Sequence, residues 1–116
     1  MLPASYDFVL RQGSTWNQSI VWKDSNGVPV NLTGYSARMQ IRPQVNSETV
    51  IVELTSENGR IDIDAPSGKL TLSLDAETTA GICQSTGVYD IELESLDGTV
   101  TAILAGSVKI GREVTR

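Results

Sequence analysis

The segment YSARMQIR, residues 35–42, decides the fold class because apolar and polar side chains alternate along it. The apolar set is Tyr35, Ala37, Met39 and Ile41, and the polar set is Ser36, Arg38, Gln40 and Arg42. Successive side chains of a β-strand point to opposite faces of a sheet, so this pattern predicts a strand with one face in a core. The preceding segment, residues 28–34, contains Pro29 and is expected to be a turn rather than a central strand.

The same alternation recurs on both sides of this strand, between turns that contain glycine. The further segments are Tyr6–Leu10, Trp16–Trp22, Val50–Leu54, Ile61–Asp64, Lys69–Asp75, Tyr89–Glu94 and Val100–Ile110. A short helical turn is expected between Asp75, which can cap it, and Gly81, which ends it. We therefore predict an all-β fold: one domain over residues 1–116, formed as an antiparallel, immunoglobulin-like β-sandwich of seven to nine short strands.

The last third of the chain gives three more specific expectations. Asp97-Gly98 predicts a two-residue hairpin turn. The strand that follows, from Val100 to Ile110, is expected to keep one phase throughout, with its even-numbered side chains on the core face. Gly106 in the middle of that strand indicates either a bulge or a close approach of another backbone.

The amino-acid composition makes several classes of function improbable. The 116 residues carry a net charge of −5 and include no histidine and a single cysteine, Cys83. An acidic chain repels phosphate backbones, so direct nucleic-acid binding is not expected. Histidine, the residue that most often acts as a general base or a metal ligand, is therefore absent. The N-terminus does not resemble a signal peptide, and no apolar run has the length of a membrane span. We expect no catalytic activity, cofactor or metal, and a small, partly buried Cys83.

Two pairs of residues invite a binding hypothesis. Asp62 and Asp64 project from one face of a strand, where they would either help to hold Ca²⁺ or be part of an ordinary exposed face. Trp16 and Trp22 share a face and would form either an aromatic platform or part of the core. Trp22 is expected in the core, whereas Trp16 follows a turn and is also a candidate for contact with another subunit.

The polar face of residues 35–42 is the other candidate. Arg38, Gln40 and Arg42 would either contact a neighbouring subunit or pair with acidic residues on adjacent strands. A separate acidic stripe lies in Tyr89–Glu94, where an acidic residue occupies every second position. We interpret that acidic stripe as an exposed strand face rather than a catalytic pair.

The order of these motifs resembles that of small β-sandwich structural proteins of tailed bacteriophages. The matching segments are Tyr6-Asp7, Gln12-Gly13, Trp22, Asp24–Tyr35, Ala37–Arg42, Glu53–Ile61, Gly68–Ser73, Ala76–Ala80 and Tyr89–Val100, followed by the closing residues 114–116. The chain is also similar to the N-terminal sandwich of upper-baseplate and tail-fibre-associated proteins. The resemblance extends over nearly the whole length of the chain.

This resemblance implies a non-enzymatic virion component, assembled in the host cytoplasm and present in several copies. Its expected role is that of a tail or baseplate adaptor, which joins a fibre or receptor-binding component to the tail and contacts other virion proteins. Two alternatives stay open. One is a head-decoration or head-fibre-base protein, and the other is a carbohydrate- or Ca²⁺-binding module that uses Trp16 or the pair Asp62 and Asp64.

Overall fold

The computed structural model describes residues 4–112 and residue 114, and within them the chain forms nine strands and one short α-helix. The elements are β1 (Ala4–Ser5), β2 (Phe8–Arg11), β3 (Trp16–Val21), β4 (Ser36–Arg42), β5 (Val52–Thr55), β6 (Ile61–Asp64), β7 (Lys69–Leu74), α1 (Ala76–Ala80), β8 (Thr86–Glu94) and β9 (Val100–Gly111). Every segment with predicted alternation contains a strand. The all-β class predicted from the sequence is confirmed.

The strands form two sheets. The large sheet has the order β1-β9-β8-β4-β5, with β2 also paired to β9, and the small sheet has the order β3-β7-β6. The inward-facing residues of both sheets belong to one hydrophobic cluster, so the sheets pack against each other across a single core. In β4 the inward residues Ala37, Met39 and Ile41 are at most 2% exposed, as the alternation predicted.

The prediction of an antiparallel fold is wrong at the N-terminus. Both β1 and β2 run parallel to β9, whereas every other pairing between the described strands is antiparallel. The alternation of Tyr6–Leu10 indicates which side chains face the core, but it carries no information about the direction of the partner strand. The predicted first strand is also divided, because Tyr6 and Asp7 separate β1 from β2.

A close backbone approach holds this N-terminal segment on β9. A Cβ atom added at Gly106 would overlap the carbonyl oxygen of Tyr6, so only glycine leaves room for it. The Tyr89 hydroxyl donates a hydrogen bond to the same oxygen at 2.5 Å. The Asp7 carboxylate accepts a bond from the Ser107 N–H at 3.0 Å. The second of the two expectations for Gly106, close approach, is therefore the correct one.

The bulge lies elsewhere in β9. Ile91 of β8 pairs with Leu104 of β9, and the next residue, Glu92, pairs with Ala102. Ile103 is therefore an extra residue of β9 in the ladder. This extra residue reverses which side chains of β9 face the core. The expectation that the strand keeps one phase from Val100 to Ile110 is therefore wrong. The hydrophobic pattern concealed the shift, because apolar residues stand on both sides of the bulge.

The turn between β8 and β9 is longer than expected. The Gly98 N–H donates to Ser95 O at 3.0 Å and the Ser95 N–H donates to Thr99 O at 2.9 Å, which encloses three residues rather than two. Gly98 adopts φ +88°, as the glycine of a three-residue hairpin loop does. The Asp97 carboxylate accepts bonds from the Thr99 N–H, at 3.0 Å, and from the Ser95 hydroxyl. These bonds lower the pKa of Asp97 to about 2.

The one α-helix among the described residues has the predicted position, and a 3-10 helix lies at Ala65–Ser67. The Asp75 carboxylate accepts a bond from the Thr78 N–H at 2.7 Å, and Gly81 is the residue that ends α1. Inside the helix, the fully buried Thr79 donates its hydroxyl to Ser14 O at 2.8 Å. The helix is thereby joined to the turn between β2 and β3, where the chain crosses from the large sheet to the small one.

We predict that Gly106→Ala destabilises the fold by about 1–3 kcal/mol, because the new methyl group forces the Tyr6 backbone away from β9. Gly111→Ala is the matched control: it lies on the same strand, and its added Cβ meets nothing nearer than Leu10 O at 3.8 Å. We expect the control to stay within about 0.5 kcal/mol of the wild type in chemical denaturation. Equal effects of the two substitutions would contradict this account of the N-terminal segment.

Titration of Asp97 tests the hairpin geometry. Its pKa is about 2, below the ordinary 3.8, so the ionised carboxylate stabilises the folded hairpin. That contribution is complete above pH 3.8, falls as the pH drops toward 2, and is absent from Asp97→Asn. Carboxyl chemical shifts followed by NMR should show the low pKa in the folded wild type. A midpoint near 3.8 in the folded chain would refute the carboxylate's hydrogen bonds.

Candidate functional site

The three polar residues predicted on the face of β4 lie together on the outer surface of the large sheet. Strand β4 is central, with β8 on one side and β5 on the other. Arg38 stands opposite Glu92 of β8, and Gln40 stands between Asp90 of β8 and Glu53 of β5. Opposed residues of paired strands share a face, so basic, amide and acidic side chains are brought within reach of one another.

Arg38 is paired within the chain. Its Nε atom lies 2.8 Å from Glu92 Oε1, and its Nη1 atom lies 3.8 Å from Glu94 Oε1. The hydrogen bond to Glu92 and the attraction of that carboxylate raise the pKa of Arg38. About half of the Arg38 side chain is exposed to solvent. Exposed pairs of this kind contribute little to stability, so the pair orders the surface more than it stabilises the fold.

Gln40 and Arg42 extend the network to the other side of the sheet. Gln40 Nε2 donates to Glu53 Oε2 at 2.7 Å. Arg42 Nη2 donates to Gln40 Oε1 at 2.7 Å, and Arg42 Nη1 donates to the Ser47 carbonyl oxygen at 2.7 Å. Arg42 is half-buried, and its guanidinium joins the sheet to the loop of residues 43–50. The contact with Ser47 could not be predicted from residue types, because its acceptor is a backbone carbonyl that every residue carries.

The acidic stripe lies on this face, as predicted. Partial burial raises the pKa of Asp90, and the neighbouring Glu92 raises it further. Arg38 and Arg42 oppose that rise. The two arginines therefore neutralise part of the acidic charge that Glu53, Asp90, Glu92 and Glu94 place on this face. Cross-strand pairing, one of the two hypotheses for this face, is present; contact of Arg38, Gln40 and Arg42 with another subunit stays a prediction.

Trp16 is not part of this surface. It lies in the core, 9% exposed, with its ring edge-on to Phe8 at a centroid distance of 5.4 Å. As the first residue of β3 it faces Leu74 of β7, and burial of so large an apolar ring favours this position. Within the single chain Trp16 is therefore a core residue, and its contact with another subunit stays a prediction. Trp22 is only partly buried, packs against the core and meets Tyr35 edge-on at 6.3 Å.

Asp62 and Asp64, the pair considered for Ca²⁺, lie on one face of a strand, as the sequence predicted. Asp62 and Asp64 stand on the outer face of β6, opposite Thr71 and Lys69 of β7. Among residues 4–112 and 114, no three acidic, cysteine or histidine side chains lie close enough to hold a metal ion. Cys83 is exposed rather than partly buried, because it follows the end of α1 on the surface.

No family model matches the chain, and no curated protein is significantly similar to it. In the described part of the chain, no helix is long and apolar enough to cross a membrane.

We predict different consequences for the two arginines of this face. Arg42→Ala removes the bond to Ser47 O and should increase deuterium uptake in peptides that cover residues 43–50. Arg38→Ala is the control on the same strand and face, and it should leave that uptake unchanged. We expect the control to alter the free energy of unfolding by less than about 0.5 kcal/mol. Equal uptake in the loop of both variants would show that Arg42 does not hold it.

Proposed function

We propose that this protein is a non-enzymatic structural component of a bacteriophage virion, most specifically an adaptor of the tail or baseplate. The observation that carries the proposal is the ordered set of motifs that resembles small phage β-sandwich proteins. Those motifs are spread over the whole architecture: Asp24–Tyr35 leads into β4, Gly68–Ser73 enters β7, and Tyr89–Val100 forms the β8–β9 hairpin. A family relationship would preserve such an order.

We further propose that the two sheets form an immunoglobulin-like sandwich. In the large sheet, the N-terminal strands lie parallel to the last strand, and β8, β4 and β5 follow in order. The small sheet has β7 between β3 and β6. Immunoglobulin-like sandwiches also divide their strands between two packed sheets. A rigid scaffold of this type presents contact surfaces without the need for a cleft.

The outer face of β4 supports a role in assembly. Its polar side chains are held by cross-strand bonds such as Arg38 to Glu92 and Gln40 to Glu53. Side chains that are already ordered lose little entropy when a partner binds. A face with fixed charges of both signs also selects among partners by electrostatic complementarity. In this proposal the partners are other tail, baseplate or fibre subunits.

Particle analysis tests the proposal. Virions produced by a host that carries the gene are purified on a density gradient, digested and analysed by mass spectrometry. Immunogold labelling with an antibody against the purified domain then locates the protein on intact particles. We expect peptides of this chain in the virion fraction, and gold at the tail end. An identical preparation from a strain with the gene deleted is the control.

Two results would contradict the proposal in different ways. Absence of the protein from purified virions would refute a virion role altogether. Label restricted to the capsid would refute the tail or baseplate adaptor and would favour a head-decoration or head-fibre-base protein. Neither result depends on the oligomeric state of the isolated protein.

A further inference from the structure

The exposed edge of β3 is the one long strand edge in the described part of the chain that carries no protecting feature. Strand β3 pairs with β7 on one side only. The Trp22 N–H donates to Gly68 O at 2.9 Å, which places the even-numbered residues of β3 toward β7. Backbone groups alternate in direction along an antiparallel strand, so those of Asn17, Ser19 and Val21 point away from the sheet.

These outward groups have almost no partners. In residues 4–112 and 114, the one hydrogen bond that reaches them is a long one, from Gln18 Nε2 to Ser19 O at 3.4 Å. The strand contains no charged residue and no proline between Trp16 and Val21. Natural proteins usually protect an edge with charges, proline, a bulge or covering side chains, and an edge without them is a template for another strand.

The other free edges are protected. At β5, Asn58 Nδ2 and Arg60 Nη1 both donate to Glu53 O, at 3.2 and 2.9 Å, and Asn58 Oδ1 accepts from the Thr55 N–H at 3.0 Å. At β6, an antiparallel pairing of two copies about a twofold axis at Asp62 would set two carboxylates opposite each other. The N-terminal edge is interrupted between β1 and β2.

We propose that β3 binds β3 of a second copy of this chain, antiparallel, about a twofold axis at Ser19. In this register Ser19 faces Ser19, and Asn17 faces Val21 of the second copy. Each of these pairs exchanges two backbone hydrogen bonds, because all of these groups point outward. The two small sheets then form one continuous sheet. A twofold contact uses the same surface on both subunits and closes on itself, as most dimers do.

The side chains of this register are compatible with self-association. Gln18 stands opposite Ile20 of the second copy, and Trp16 stands opposite its Trp22. Ile20 and Trp22 are the partly buried residues at this edge of the core, and a neighbouring strand would cover them. Pairing with an unrelated extended peptide would satisfy the same backbone groups, but it would not require this reciprocal match.

Charge favours this edge over the rest of the surface as the place where a second copy binds. Each chain carries a net charge of −5, so two copies repel each other over most of their surfaces. Strand β3 itself is uncharged, and the nearest charge on the outer face of the neighbouring strand is Lys69. In the continuous sheet the two copies of Lys69 are separated by three strand spacings, about 14 Å, across the strands and by four residues, about 13 Å, along them, so their distance exceeds the screening length in physiological salt.

Sedimentation of the purified protein tests this proposal without reference to a virion role. A contact limited to one strand edge is small, so the concentration series runs from about 10 μM to about 1 mM. We expect the mass to rise from 12.5 kDa toward that of two chains. We also expect the unfolding temperature to rise with concentration, since dimerisation stabilises the folded state by mass action. A monomer throughout the series would overturn the proposal, even if the edge bound a foreign peptide.

Charge-swap variants test the register. Ser19→Lys and Ser19→Asp should each be monomeric, because like charges meet on the axis, and an equimolar mixture should recover the dimer. Thr71→Lys is the matched control: Thr71 stands opposite Ser19 on β7, on the same outer face, and its substitution should leave the dimer intact. Circular dichroism checks that each variant is folded. Dimers of either Ser19 variant alone, or failure of the folded mixture to associate, would refute the pairing about Ser19.

Discussion

The contact between the Tyr6 backbone and Gly106 is the constraint on which the arrangement of both sheets depends. Glycine at that position lets the N-terminal segment lie against β9, and the Tyr89 hydroxyl fixes the Tyr6 carbonyl there. The N-terminal strands therefore occupy an edge of the large sheet. They are not available to pair with β3, the first strand of the small sheet, which has no partner strand on its outer side among the described residues. Because the N-terminal strands pair with β9, the outer edge of β3 is left unpaired in the described part of the chain.

The two candidate surfaces differ in how much of their hydrogen-bonding capacity is already used. On the outer face of β4, the polar groups of Arg38, Gln40 and Arg42 bond to neighbouring strands and to the 43–50 loop. A partner at that face meets a preordered surface on which Arg38 is already paired with Glu92. At the β3 edge the backbone groups are open and the strand is uncharged. A partner there gains hydrogen bonds without displacing existing ones, and this difference favours the edge as the site of self-association.

Much of the fold could be predicted from the sequence, because burial of one strand face imposes a period of two. That rule located β4 and the other strands, and the capping chemistry of Asp75 located α1. It could not reveal the parallel pairing of β1 and β2, since alternation is independent of strand direction. It also missed the bulge at Ile103, where apolar neighbours on both sides conceal the change of phase.

The candidate site was predictable to a similar degree. Arg38, Gln40 and Arg42 were correctly placed on one face, because they share a strand with buried residues at alternate positions. Their partners depend on the strand order β8-β4-β5, which no local pattern contains. Trp16 follows a turn, and its burial depends on Phe8 and Leu74 from distant parts of the chain. The open edge of β3 is likewise a property of topology rather than of residue types.

Amide hydrogen exchange at β3, resolved by NMR, is the most direct test of the pairing between two copies of β3. It reports on each residue of the edge separately in the unmodified protein. In the monomer, the amides of Gln18 and Ile20 are paired with β7, whereas those of Asn17, Ser19 and Val21 are open. We expect that raising the protein concentration slows exchange at the odd-numbered amides and leaves exchange at the even-numbered amides unchanged. Fast exchange at Asn17, Ser19 and Val21 at every concentration would contradict it.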